Sequence, residues 1–171
     1  MIDINISGLI TSLILMVVFA LPIVYYAIKA GKKRKATKSL LRHYAAGKGL
    51  NLDELDTWRF TYGIGLDNSA SQLIYMEKDG NPEVITIDLE QVERVDVQVS
   101  KLKSSQNGGS SIITDLQLSF IPNMPGKTPI NLTFFSSEKF ISLQNEFELV
   151  NKWKQKVEGI LAQREKSEME V

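Results

Sequence analysis

Residues 4–30 form an apolar run with no charged side chain between Asp3 and Lys29. A hydrocarbon core about 30 Å thick is crossed by about 20 apolar residues, each rising about 1.5 Å along a helix. The run therefore predicts one transmembrane helix, with Pro22 as a place for a kink that a membrane environment tolerates. Beyond the run, Leu40, Leu41 and Tyr44 recur at helical spacing, so the helix is expected to continue to about Ala46. Gly47 or Gly49 can then take the left-handed conformation that ends a helix.

From residue 58 the period changes to two. Trp58, Phe60, Tyr62, Ile64 and Leu66 alternate with Arg59, Thr61, Gly63 and Gly65, which predicts one long first strand. Five further stretches follow, over 73–77, 85–90, 95–100, 115–120 and 130–134. Turn signals separate them at Asp79-Gly80-Asn81-Pro82, at a polar tip over 103–111 containing Asn107-Gly108-Gly109, and between Pro122 and Pro125. One apolar and one polar face per strand is the mark of an antiparallel sheet covered on one side. Short, regularly spaced strands suggest a sandwich or small barrel. The helical period returns over 145–163, with Phe147, Val150, Trp153, Val157, Ile160 and Leu161 along one stripe. Asn145 and Glu148 have the spacing of a capping box, and the charged tail from Arg164 to Val171 is expected to fray.

The predicted fold class is α+β, mainly β: a transmembrane helix, then a six-to-seven-stranded antiparallel barrel or sandwich capped by a C-terminal helix. The chain divides into a signal-anchor helix (1–30), a basic juxtamembrane helix and linker (31–56), the β domain (57–165) and a charged tail (166–171).

Charge sharpens this division. The formal net charge is zero, yet Lys29, Lys32, Lys33, Arg34, Lys35, Lys38, Arg42 and Lys48 follow the apolar run with no acid among them. From Asp53 onward, 19 acids stand against 12 basic residues, a net charge of −7. A Lys/Arg excess marks the cytoplasmic side of a span, so the N-terminus is expected outside and the β domain in the cytoplasm. The same asymmetry argues against a cleaved signal peptide, which carries its positive charge before a shorter apolar core. The candidate membrane-interface residues are Tyr25, Tyr26, Lys29, Lys32, Lys33, Arg34 and Lys35. Their expected partner is membrane lipid, bound nonspecifically through the span and the basic collar. Gly8 and Ser12 form a small-xxx-small pair and are the candidate helix–helix contact. A domain at −7 is not expected to bind nucleic acid.

Candidate chemistry is sparse. The absence of cysteine excludes disulfides, thiolate catalysis and cysteine-ligated metals, and a single histidine, His43, makes His-based catalytic or metal sites improbable. Asp53, Glu54 and Asp56 lack the ligand spacing of an EF-hand loop and read as a solvated acidic turn. Asp88, Glu90 and Asp96 read as carboxylates on the wet face of a sheet. No catalytic, cofactor or metal residue is expected, and the chain is not expected to be an enzyme.

Consecutive antiparallel strands followed by one amphipathic helix resemble the pleckstrin-homology (PH-like) superfold, in which the helix plugs one end of the barrel. The phrases Tyr62-Gly63-Ile64-Gly65-Leu66-Asp67, Leu73-Ile74-Tyr75 and Val84-Ile85-Thr86-Ile87-Asp88-Leu89, with Val92 and Val95 after them, are similar to bacterial PH-like domains. The layout also resembles a family of small, uncharacterised single-span bacterial membrane proteins. It shares with them Gly49-Leu50, Leu55 to Trp58, and Trp153-Lys154. The resemblance implies a bacterial inner-membrane protein with a cytoplasmic PH-like domain and no catalytic signature. The expected function is a non-enzymatic, membrane-tethered scaffold that docks a protein partner. The alternatives are an accessory or assembly subunit of a larger inner-membrane complex and, third, a lipid sensor.

Overall fold

The structure is a computed structural model and describes residues 6–103 and 111–169. Most of the polar tip, including Asn107-Gly108-Gly109, lies outside the described residues, as do Glu170 and Val171.

The first element is a single helix, α1, Ile6–Gly47, which passes through Pro22 without a break. Its C-terminus is closed by two hydrogen bonds, from Leu50 N to Ala45 O (2.9 Å) and from Gly49 N to Ala46 O (3.0 Å), with Gly49 at φ +76°. This is a Schellman cap, in which the left-handed residue is a glycine because a Cβ would be strained there.

Among the described residues seven strands follow, in two antiparallel sheets. The first sheet has the order β1 (Glu54–Trp58), β2 (Tyr62–Asp67), β3 (Gln72–Asp79), β4 (Asn81–Asp88). A single 3₁₀ turn, Leu89–Gln91, leads to the second sheet of β5 (Val92–Lys103), β6 (Ser111–Pro122) and β7 (Ile130–Ser136). The chain closes with helix α2, Glu146–Met169. The expected sandwich is therefore present, split four and three. The tail expected to fray is helical as far as Met169.

The expected first strand is two. Trp58 pairs with Tyr62, and the chain reverses through Arg59 and Phe60, both left-handed at φ 52° and 57°. The strand that precedes this turn begins at Glu54, inside the stretch expected to be an acidic turn. Those acids are held by the fold: Asp53 Oδ2 accepts from Asn68 N (2.8 Å), Glu54 pairs with Lys156, and Asp56 Oδ2 accepts from Lys152 Nζ (2.6 Å) and Trp153 Nε1 (3.0 Å). Side chains of β1 thus tie it to α2, which packs chiefly against β5.

Between the sheets lies one core, in which Tyr62, Ile64, Leu66, Leu73 and Tyr75 meet Val95, Leu116, Leu118, Phe120, Leu132 and Phe134. Helix α2 adds Val150, Trp153, Val157 and Leu161, all buried, at the spacing that keeps one helix face inward. Phe147, expected on this stripe, is exposed, and Leu149 is half-buried against the core in its place. The sheets are also joined by side chains. Trp58 Nε1 donates to Phe134 O (2.9 Å) and Tyr75 OH to Thr133 O (2.7 Å), occupying carbonyls of β7.

The outer face of the first sheet has a second core, made by Leu41, Ala45 and Leu50 from the helix side and Ile74 and Met76 from β3. The two glycines of β2 let the chain approach there. A Cβ on Gly63 would lie 3.0 Å from Leu41 Cδ2, and one on Gly65 would lie 2.7 Å from Leu52 Cδ1. Gly63 and Gly65 are the outward positions of a strand buried on both faces. The last turns of α1 are consequently packed on the sandwich.

Candidate membrane interface

Among the described residues one helix, Gly8–Gly47, is long and apolar enough to cross a membrane, and its most apolar window has none of its residues buried within the chain. Leu9, Ile10, Leu13, Ile14, Phe19, Leu21 and Ile23 are all more than half exposed. In water such a surface would be a severe liability, and apolar patches of this size mark a membrane or an interaction surface.

The residues singled out in the sequence fall along this helix. Tyr25 and Tyr26 meet edge to face at 5.6 Å, and Lys29 Nζ lies 5.9 Å from the Tyr25 ring. Lys29, Lys32, Lys33, Arg34 and Lys35 are exposed. Ser12 Oγ donates to Gly8 O at 2.8 Å, so this hydroxyl is bonded within its own helix.

Arg34 also meets the β domain. It lines two adjoining clefts, of about 300 and 230 Å³, together with Thr57, Trp58, Arg59 and Gln144. One turn further on, Thr37 is buried, and its Oγ1 donates to Phe60 O at 3.0 Å. The β1–β2 turn is therefore fastened to the helix just past the collar.

The same turn is fastened to α2. Arg59 Nε forms an ion pair with Glu146, whose side chain is 3% exposed. Arg59 Nη2 donates to Ser142 O (2.6 Å), and the guanidinium stacks 4.8 Å from the Phe140 ring. Glu146 also accepts from Gln144 N, a carboxylate reaching back over the helix N-terminus. The sequence suggested Asn145 and Glu148 for a cap at this end, and Glu146 adds a bond to the amide just before the helix. Burial of the pair makes its desolvation expensive, so it persists because its hydrogen bonds are met on both sides.

Around this end, Lys139 Nζ bonds Glu77 (2.6 Å) and Asp79 (2.9 Å), and these bonds raise the Lys139 pKa. Burial, with Glu77 nearby, pushes the Tyr62 phenol up to about 12 and the Tyr75 phenol further. Across the neutral range both phenols therefore stay protonated and Lys139 stays charged.

Asp88 and Glu90, read as neighbours on one strand face, are not. Asp88 caps the 3₁₀ turn by accepting from Glu90 N and from Gln91 Nε2, both at 3.0 Å. At this far end a cleft of about 400 Å³ is lined by Leu89, Ile160 and Arg164, whose Nη1 donates to the carbonyls of Leu89, Glu90 and Val92. Among the described residues, no three His, Cys, Asp or Glu side chains are placed to hold a metal ion.

Thr37, Arg59, Phe60 and Glu146 were missed in the sequence. Arg59 read as a polar-face residue of a strand, and nothing local marks Thr37 as the docking point. No protein-family model, curated protein or solved structure matches the chain.

Proposed function

We propose that this chain is a membrane-tethered, non-enzymatic scaffold whose PH-like domain docks a protein partner at the cytoplasmic face of a bacterial inner membrane. The observation that carries the reading is the continuity of α1. One helix runs from the apolar span into the second core, where Leu41 and Ala45 are buried against the sheet. A domain so mounted presents its remaining surface at a fixed height and orientation. The meander of four and three strands, followed by α2, supports the PH-like assignment. The Lys/Arg excess after the span supports the orientation. β4 ends the first sheet with no strand beyond it, which offers an extended partner a place to add a strand, and Pro82 near its start limits indiscriminate pairing.

An accessory subunit of a larger membrane complex is the second reading, favoured by the unburied apolar window of α1. Tagged full-length protein, purified from membranes in mild detergent and analysed by mass spectrometry, separates the two. A soluble partner retained in stoichiometric amount supports the scaffold. A stoichiometric set of membrane proteins supports the subunit. The chain alone, monodisperse, refutes both under those conditions.

A further inference from the structure

We propose that the end of the sandwich formed by the β1–β2 turn and the β7–α2 loop rests on the lipid surface, with Ile141 and Phe60 inserted at headgroup level. The inference rests on the reading of α1 as a membrane-spanning helix. Lys29 is the first charge after the apolar run, so the hydrocarbon boundary lies no deeper into the chain than this residue. At about 1.5 Å per residue, Arg34 lies about 7 Å and Thr37 about 12 Å further along the axis. The headgroup layer on each side of a bilayer is about 5–8 Å thick. The helix therefore carries Arg34 to the outer rim of the headgroups.

Phe60, although its carbonyl is tied to Thr37, reaches back with the loop after β7 to a cleft that Arg34 lines, one turn nearer the bilayer. Phe140 and Gln144 line the same cleft. Ser142 is tied to Arg59, which fixes the loop beside the turn. Between Phe140 and Ser142 stands Ile141, 105% exposed and so covered by nothing in the protein, while Phe60 is 45% exposed. A scattered exposed isoleucine on a soluble domain needs no explanation. Two apolar side chains held at headgroup height by a helix packed onto their own domain do.

Within the turn and the loop themselves, little charge is left to drive this contact. Arg59 is paired with Glu146, and Lys139 with Glu77 and Asp79. The contact is apolar, and it faces the bilayer despite the acidic character of the domain as a whole.

The chain has no cysteine, so single cysteines can be labelled cleanly. Full-length Ile141→Cys, Phe60→Cys, Val17→Cys and Ala70→Cys would each carry an environment-sensitive fluorophore. Each would be reconstituted in phosphatidylcholine bilayers, with and without phosphatidylglycerol, containing nitroxide lipids labelled at the headgroup or mid-chain. Ala70 is the distal reference, because the β2–β3 turn lies at the opposite end of β2 from Phe60. The label at 17 should be quenched from mid-chain. The labels at 141 and 60 should lose about half their intensity to the headgroup nitroxide in both lipid mixtures, as expected of side chains seated at the interface. The label at 70 should be unaffected. Quenching at 17 with none at 141 and 60 would overturn the proposal and leave the span intact. No quenching at 17 would overturn the spanning reading and the proposal with it. Quenching at 141 only with phosphatidylglycerol would also overturn it, since the contact would then be electrostatic.

Discussion

Leu41 is the side chain on which the coupling of helix and sandwich depends, and Leu41→Ala is the perturbation that measures it. Leu41 is fully buried, in contact range of Gly63 and clustered with Ala45, Leu50, Ile74 and Met76. Truncating a buried leucine costs about 2–5 kcal/mol, the spread reflecting how well the site closes over the gap. Met76 is unbranched and can move into part of the space, which puts the cost at the lower end, about 2–3 kcal/mol. If that energy holds the last turns of α1 on the sheet, their amides become easier to open. A tenfold change corresponds to about 1.4 kcal/mol, so exchange protection over residues 38–46 should fall roughly 30- to 150-fold. Hydrogen-exchange mass spectrometry of the full chain in lipid nanodiscs reads this directly. Amides of the apolar run should not change, and Arg42→Ala, on the exposed side of the same turns, should alter stability by less than about 0.5 kcal/mol. A loss of protection below threefold in Leu41→Ala, or an equal loss in Arg42→Ala, would refute the docking argument.

Glu146→Ala leaves the half-buried Arg59 guanidinium without its anion and should destabilise the domain by about 2–3 kcal/mol in denaturant titrations, below the cost of breaking a fully buried pair. The double change Arg59→Met with Glu146→Leu should restore most of that loss, because it removes both charges. The Asp67 carboxyl is held below its usual 3.8 by the Ser69 hydroxyl, then by the amides of Asn51 and Ala70. Its contribution is present above pH 3.8 and lost as pH falls through the lower folded value, so Asp67→Asn should flatten the acid limb of a stability profile followed by tryptophan fluorescence. Tyr62 has the opposite sign. Its folded pKa of about 12 against a reference of 10.0 means stability is intact below pH 10 and declines toward pH 12, and Tyr62→Phe should reduce that decline.

Much of the β domain was legible in the sequence. Alternation located β4 to β7 because each presents mainly one face to a core and the other to water. β3 is the exception that still read as a strand: Leu73-Ile74-Tyr75-Met76 is an apolar run because Leu73 and Tyr75 face the inter-sheet core while Ile74 and Met76 face α1. The β1–β2 hairpin was hidden. Its turn carries Arg59 and Phe60 where glycine or asparagine would have announced it, and a non-glycine residue at positive φ is uncommon. The turn is supported from outside, by Glu146, Thr37 and Ser142, partners 87, 23 and 83 residues away in the chain. Local sequence cannot display such support. Gly63 and Gly65 held the other half of the clue. Read as the polar face of a strand, they are the gap that admits Leu41 and Leu52. The cationic collar was visible as charge, and the meeting of Arg34 with the β domain was not, since that depends on a loop more than 100 residues later.

The Schellman cap at Gly49 ends a helix that had no joint before it. Between the apolar run and Thr37 there is helix alone, so torque applied to that run reaches the sandwich as it would through a crankshaft. One alanine inserted between Arg34 and Thr37 would turn the domain by about 100° about the helix axis and raise it about 1.5 Å, while four would nearly restore its bearing about 6 Å higher. The length of this short stretch, counted in residues, sets the compass heading of the domain relative to the apolar run.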